Sequence, residues 1–197
     1  MPINQNIQTF YQQSLNKDFS RDFLFRVILM EGVGLPDLLE SDLVYAKTAK
    51  LPGRTIENMK APYMGLQFNI PGAVTYDGSD AYDIEFYLDD ASKSVSGDIR
   101  KKFEIASREI FNDGESTGNY VVPGQINKIV LAQVGKNLEP VGDYYNLIGA
   151  QLRKIDAIEY KMAEGKGDIM SVKTTMSYHY YTVGTLSLPV QNNLGTN

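Results

Sequence analysis

The side chains best suited to acid–base or metal chemistry in this chain are one histidine and a short run of carboxylates. His179 is the only histidine and sits in Ser177-Tyr178-His179-Tyr180-Tyr181. On a continuous strand it shares a face with Lys173, Thr175 and Ser177, so no carboxylate or nucleophile is local to it for a triad or a metal site. It reads as a polar-face strand residue. Asp83, Glu85 and Asp89 alternate with apolar residues, and Asp89-Asp90 is a carboxylate pair. Two carboxylates suit glycoside hydrolysis or Ca²⁺ binding, but no Asp-x-Asp-x-Asp-Gly loop is present, and an outward charged face on a half-buried strand explains the pattern. Gly165-Lys166-Gly167 lacks the spacing of a phosphate loop. With no cysteine in the chain, a thiolate nucleophile, a thiolate metal site and a disulfide framework are excluded. The residues carry no catalytic, cofactor or metal signal, and the expectation is a protein that is not an enzyme.

Composition sets the outer limits. The chain has 197 residues, 43% of them hydrophobic and 22% charged, enough for one domain with a sizeable core. The formal net charge is −5, which disfavours a non-specific grip on a phosphate backbone. No segment approaches the ~20 apolar residues of a membrane-spanning helix, and Met1-Pro2-Ile3-Asn4-Gln5 lacks a signal-peptide core. The reading is a soluble protein made in a cytoplasm. Tyrosine is abundant, at 13 residues, and tryptophan absent, a bias that suits half-buried strands and interfaces.

The elements follow from periodicity. Ile3, Ile7, Phe10 or Tyr11, and Leu15 recur at helical spacing and predict an amphipathic helix over 1–17. Phe23 to Met30 is apolar on both faces except at Arg26, which predicts a central strand covered on both sides. Glu31 to Asp42, with Gly32, Gly34 and Pro36, reads as a loop with one helical turn. Leu43 to Lys50 reads as a strand. Tyr82, Ile84, Phe86 and Leu88 share one face of the next strand, and Asp83, Glu85, Tyr87 and Asp89 the other. Ile99, Phe103, Ala106 and Ile110 form one stripe of a helix over 97–111, N-capped by Ser96 or Asp98 and stopped by Asn112-Asp113-Gly114. That stripe reads as core, not as a cofactor pocket. Lys101-Lys102 and Arg153-Lys154 read as solvated faces, and Arg100, Glu104 and Arg108 as i,i+4 helix pairs. Glu115 to Gly124 reads as a loop or loose hairpin. Ile126 to Val134, Tyr144 to Ile148, Ala157 to Met162 and Ile169 to Val183 read as the remaining strands. A single β domain over 1–183 and a polar tail over 184–197 are expected. The order of elements points to a mainly β fold, an antiparallel sandwich or barrel with a flanking helix.

Between the turns Leu51-Pro52-Gly53 and Pro71-Gly72 lies an extended arm over 51–72, with legs Thr55 to Met59 and Tyr63 to Asn69 broken near Ala61-Pro62. Leu51, Pro52, Met59, Met64, Leu66, Phe68 and Ile70 line it, and no core of its own is evident for them. Such a hairpin finds its apolar partner on another molecule.

These segments together resemble the tail tube proteins of contractile-tailed bacteriophages, which share a fold with the Hcp proteins of type VI secretion. The resemblance runs through Asp18-Phe19-Ser20-Arg21-Asp22-Phe23-Leu24-Phe25-Arg26-Val27, then Ala46-Lys47-Thr48-Ala49-Lys50-Leu51-Pro52-Gly53, the arm, Tyr82 to Asp89, and Asp98-Ile99-Arg100-Lys101-Lys102-Phe103. Tyr145-Asn146-Leu147-Ile148-Gly149-Ala150 and the Tyr-rich last strand extend it. It covers about residues 5–183 and departs from the family pattern at Glu31 to Asp42, Asn112 to Gln125 and the tail. The family has no invariant catalytic motif, so the resemblance rests on pattern and order.

The resemblance implies a structural subunit of a virion. Homo-hexameric rings would stack into a hollow tube inside a contractile sheath protein, between a baseplate tube initiator and a tail terminator, with DNA passing through transiently. Sheets of neighbouring subunits would join edge to edge, and the arm would reach the adjacent ring. Within that frame Asp83, Glu85 and Asp89 are candidates to face the lumen, where a negative wall repels phosphate; the alternative is that this face meets solvent or an adjoining subunit. A tube initiator or an Hcp-like secretion ring fits the same fold. From another class, a small β-sandwich carbohydrate-binding or adhesin module would use the clusters Tyr144-Tyr145 and Tyr178 to Tyr181.

Overall fold

The computed structural model describes residues 24–89, 98–118, 126–135, 139–160 and 167–185. The helix expected over 1–17 and all of the tail beyond residue 185 lie outside them. In chain order the elements are β1 (Phe25–Glu31), α1 (Glu40–Leu43), β2 (Ala46–Ala49), β3 (Thr55–Tyr63), β4 (Leu66–Thr75), β5 (Tyr82–Tyr87) and α2 (Ile99–Ile110). There follow β6 (Phe111–Asn112), β7 (Thr117–Gly118), β8 (Lys128–Val134), β9 (Pro140–Ile148), β10 (Gln151–Ile155), β11 (Ser171–Ser177) and β12 (Tyr180–Thr185).

Strict alternation makes β5 the centre of one sheet. Tyr82, Ile84 and Phe86 are buried, while Asp83, Glu85 and Tyr87 face outward. β5 pairs antiparallel with β11 on one side and β2 on the other, giving the order β10-β11-β5-β2. The second sheet runs β1-β8-β9-β12 and is also antiparallel. Ile129, Leu131 and Leu147 from this sheet meet Ile84, Phe86 and Val172 from the other in one apolar core. Helix α2 adds Ile99, Phe103 and Ala106 to that core, with the Phe103 ring 5.4 Å from Phe86. Asp98 caps the helix, accepting a hydrogen bond from the Arg100 N–H at 3.2 Å. β6 and β7 pair across 111–118, a hairpin that starts before the Glu115 to Gly124 stretch expected as a loop or loose hairpin; residues 119–124 lie outside the described region.

The sandwich is sealed along one side by two chain crossings. β9 passes into β10 through Gly149-Ala150, and β11 passes into β12 through Tyr178-His179, so each moves from one sheet to the other. Gly149 has φ +71°, and a Cβ there would stand 2.1 Å from His179 Cδ2, so the crossing admits only glycine. Asn127, 4% exposed, ties this corner to the loop after β1. Its Nδ2 donates to the carbonyls of Val33 (2.9 Å) and Ala150 (3.0 Å), and its Oδ1 accepts from the Val33 N–H at 3.1 Å. Its backbone carbonyl accepts from Gly149 and Ala150. The opposite side, between β1 and β2, is open: no backbone hydrogen bond joins those strands among the described residues, so the sheets form a sandwich, not a closed barrel.

Several expectations are corrected. Among the described residues β1 lies at the edge of its sheet, not at its centre. It is apolar on both faces because a bulge between Val27 and Leu29 turns successive residues inward, and Ile28 and Leu29 stay half-buried. Leu43 ends α1, and β2 begins only at Ala46. The strand after Gly149 is Gln151–Ile155; residues 156–160 are not strand, and 161 and 162 lie outside the described region. Its polar pair Arg153-Lys154 hid it, since a bulge between Leu152 and Lys154 breaks the alternation. The run Ile169 to Val183 is two strands in different sheets, divided where the chain crosses at Tyr178-His179. β12 runs to Thr185, into the stretch expected as tail.

Replacing Asn127 by Ala strips partners from the Val33 N–H and from two carbonyls in a buried corner. At about 1 kcal/mol per bond, a loss of ~2–3 kcal/mol is expected, measured as a lower midpoint in urea unfolding with an unchanged m-value.

Candidate assembly surfaces

β3 and β4 form a two-stranded sheet that packs extensively only on itself among the described elements. Its turn is the two-residue Met64-Gly65, with φ of +49° and +80°. Positive φ at both positions is the twist that a tight hairpin requires, and glycine supplies it at the second. The break expected near Ala61-Pro62 is therefore absent: Pro62 pairs with Gln67 within the ladder. Pro71-Gly72 likewise lies inside β4, close to a bulge opposite Ile56 and Asn58. Both legs are longer than the sequence suggested.

The register divides the arm into two unlike faces. Met59 is opposite Ile70, Ala61 opposite Phe68, and Tyr63 opposite Leu66. These pairs are two residues apart, so all six side chains share one face. Lys60–Asn69 and Pro62–Gln67 occupy the other. Met64 is at the tip, 86% exposed, and Leu51 and Pro52 lie at the base. Tyr63 belongs to the apolar face and was missed, because only the cross-strand pairing with Leu66 assigns it there. Met59, Tyr63, Met64, Leu66, Phe68 and Ile70 are 47–86% exposed. Taking ~200 Å² per large side chain, they leave on the order of 700 Å² of apolar surface in water, above the ~300–600 Å² of the largest patch on an ordinary monomer.

The base of the arm is held by aromatic packing. Tyr76, just past β4, meets Tyr181 edge-on at 5.4 Å, and Tyr181 lies 6.1 Å from Tyr145. Tyr82 packs edge-on against Tyr178 at 5.7 Å, and its hydroxyl donates to the Lys50 carbonyl just before the arm. Burial beside Tyr178 pushes the Tyr82 hydroxyl far above the usual phenol range, so it remains a donor. Thr55 Oγ1 donates to Asp77 at 2.9 Å, joining the two legs at their root. Tyr145, Tyr178 and Tyr181 are thus spent on the core and not on an exposed platform for sugar rings.

The outward face of β5 carries Asp83 and Glu85, each paired. Asp83 lies 2.8 Å from Lys173 Nζ and accepts from Thr175 at 2.8 Å. Glu85 lies 2.9 Å from Lys47 Nζ and accepts from Ser171 at 2.5 Å. The lysine hydrogen bonds hold both carboxyls below their usual range, with the hydroxyl bonds assisting. Asp89 leaves the row: past the end of β5, it accepts from the Ile99 N–H at 3.5 Å, at the start of α2. His179 falls at the sheet crossing, outside β11, with its ring against Gly149. Among the described residues no cluster of three metal-ligating side chains occurs, and no helix is long and apolar enough to cross a membrane.

No family model and no curated protein matches the chain. Solved structures do. A chain of the sheath/tube terminator of the PVC extracellular contractile injection system aligns with a TM-score of 0.52 at 9% identity, covering 85% of this chain and 98% of that one. A chain of the sheath-tube complex of the same system gives 0.50 at 10%, covering 89% and 97%. The tube-terminating cap of the anti-feeding prophage gives 0.50 at 11%, covering 86% and 93%. At such identities the likeness lies in the fold, and the chain has the mainly β fold found in components of contractile injection systems.

Proposed function

We propose that this protein is a structural, non-catalytic subunit of the tube of a contractile tail. Copies associate into hexameric rings, and the rings stack into a conduit for DNA surrounded by a sheath protein. A baseplate initiator starts the tube and a terminator ends it. The particle is a virion tail, its subunits made in the bacterial host. The observation that carries this reading is the arm. An isolated two-stranded hairpin is marginal in water, yet this one projects with a continuous apolar face and, among the described residues, no strand paired to either outer edge. The fold shared with tube, cap and terminator structures supports it, as do the outer edges of β1, β12, β10 and β2, which pair with no strand among the described residues. Heterologous contacts that close give rings, and those that do not close give a filament.

A second reading, a ring that ends or starts a tube, draws support from the cap and terminator among the similar structures. Elongation separates the two: a tube subunit forms filaments in negative stain and a concentration-dependent series in sedimentation, whereas an end ring stops at one ring.

Replacing Met59, Met64 and Phe68 together by Ser alters only exposed side chains. Each exposed change is worth within about 0.5 kcal/mol, so circular dichroism and the melting temperature should stay near the parent values while filaments vanish. Tubes of normal length from this variant would count against the arm as the stacking element.

Should the outer face of β5 line the conduit, passing DNA meets ion pairs in which Lys47 and Lys173 are already engaged. Asp83→Asn with Glu85→Gln frees both lysines. Exposed pairs are worth ~0–1 kcal/mol, so folding should survive, while assembled tubes gain DNA retention that weakens steeply with salt. The pairs' contribution to stability is present above the carboxyls' unfolded pKa and is lost as pH falls through their depressed folded values. Parent and variant melting temperatures should therefore differ at pH 7 and converge below about pH 4. Unchanged DNA retention in the variant would remove this face from the conduit wall.

A further inference from the structure

The β1–β2 side of the sandwich holds an apolar slot made of two adjoining hollows, of about 220 and 290 Å³, that share Arg26 and Leu43. Phe25, Val44 and Val134 line the larger, and Val27 and Glu40 the smaller. Each falls short of the ~300–1,000 Å³ of a small-molecule site; there is room for a few side chains and none for a backbone. Val44 at the rim is 62% exposed. The described chain begins at this same place. Leu24, the first described residue, accepts through its carbonyl from the Val134 N–H at 3.3 Å, and Phe25 follows as a wall of the larger hollow. Residues 1–23 therefore join the body at the rim of the slot.

We propose that this slot is the seat of the chain's own residues 1–23, whose apolar stripe straps β1 to the α1–β2 segment where no backbone hydrogen bond joins the two sheets. Three features favour that occupant. The first is the tether. Leu15 precedes Leu24 by nine positions, so a fully extended connection keeps it within about 30 Å of the rim. A tether this short holds the segment at an effective concentration on the order of millimolar. The second is shape. A helix fills a groove with side chains spaced at i, i+3 or i+4, and i+7, while its backbone stays outside and bonds to itself. Ile3, Ile7, Phe10 or Tyr11, and Leu15 have that spacing, and the hollows are of side-chain size. The third is charge. Arg26 and Glu40 flank the slot without an ion-pair partner among the described residues. Lys17-Asp18 and Arg21-Asp22, between the stripe and the rim, offer both signs to meet them. The contact lies within one chain, so it forms in a lone molecule and is independent of the tube reading.

The chain has no cysteine, so introduced thiols report cleanly. Full-length double variants pair Val44→Cys at the rim with Ile7→Cys, Phe10→Cys or Leu15→Cys. A control set pairs the same three with Ile105→Cys, an exposed apolar position on α2 outside the slot. Disulfides form where Cα atoms come within about 4.4–6.8 Å, and three positions along the stripe cover its register. Dilute protein is oxidised mildly, then read on a non-reducing gel and by mass spectrometry of the linked peptides. The expected result is a link within the monomer between Val44→Cys and at least one stripe position, roughly tenfold more abundant than any link to Ile105→Cys. A link to Val44→Cys found only between chains, as a dimer, gives the slot to a second copy's segment and overturns the assignment. No link above the control in any pair, from protein whose circular dichroism matches the parent, overturns it as well. Neither result touches the tube reading, which the arm variants test.

Discussion

A hairpin that stands off the body of a protein leaves an apolar face and two strand edges facing water. The arm's register sends Met59, Tyr63, Leu66, Phe68 and Ile70 to one side and Lys60, Asn69 and Gln67 to the other. A hairpin apolar on both sides would collapse or aggregate without orientation, whereas this one has a single surface to bury and a polar back. The tyrosine packing and the Tyr82–Lys50 bond at its root connect that surface to the core.

The body is built around the same asymmetry. The β9–β10 and β11–β12 crossings, with Asn127 bridging their corner, close one side of the sandwich. Among the described residues no backbone hydrogen bond joins β1 to β2 on the other side.

The charged residues bear on what the surface avoids. Asp83 and Glu85 are matched by Lys173 and Lys47, so the outer face of β5 is polar without standing cations. A buried pair, Lys102–Asp42 at 2.5 Å, pins α2 to α1. Burying such a pair contributes little net stability, although removing one partner is costly. Its effect here is positional, fixing the segment that bears Leu43 and Val44.

Much of this was legible in the residue order alone. Period-two alternation in Tyr82 to Tyr87 and the stripe Ile99, Phe103, Ala106 placed the central strand and the helix, because local periodicity states which face is buried. The absence of catalytic spacing around His179 and the apolar content of residues 51–72 were equally local. What the sequence could not decide was pairing. The turn at Met64-Gly65 follows from the ladder and not from a strong turn dipeptide; β1 reads as central until a bulge and an open edge are seen; and Gln151–Ile155 and the Tyr178-His179 crossing depend on which sheet accepts each strand. Those choices rest on contacts between residues far apart in the chain, made only when the two sheets close over a common core.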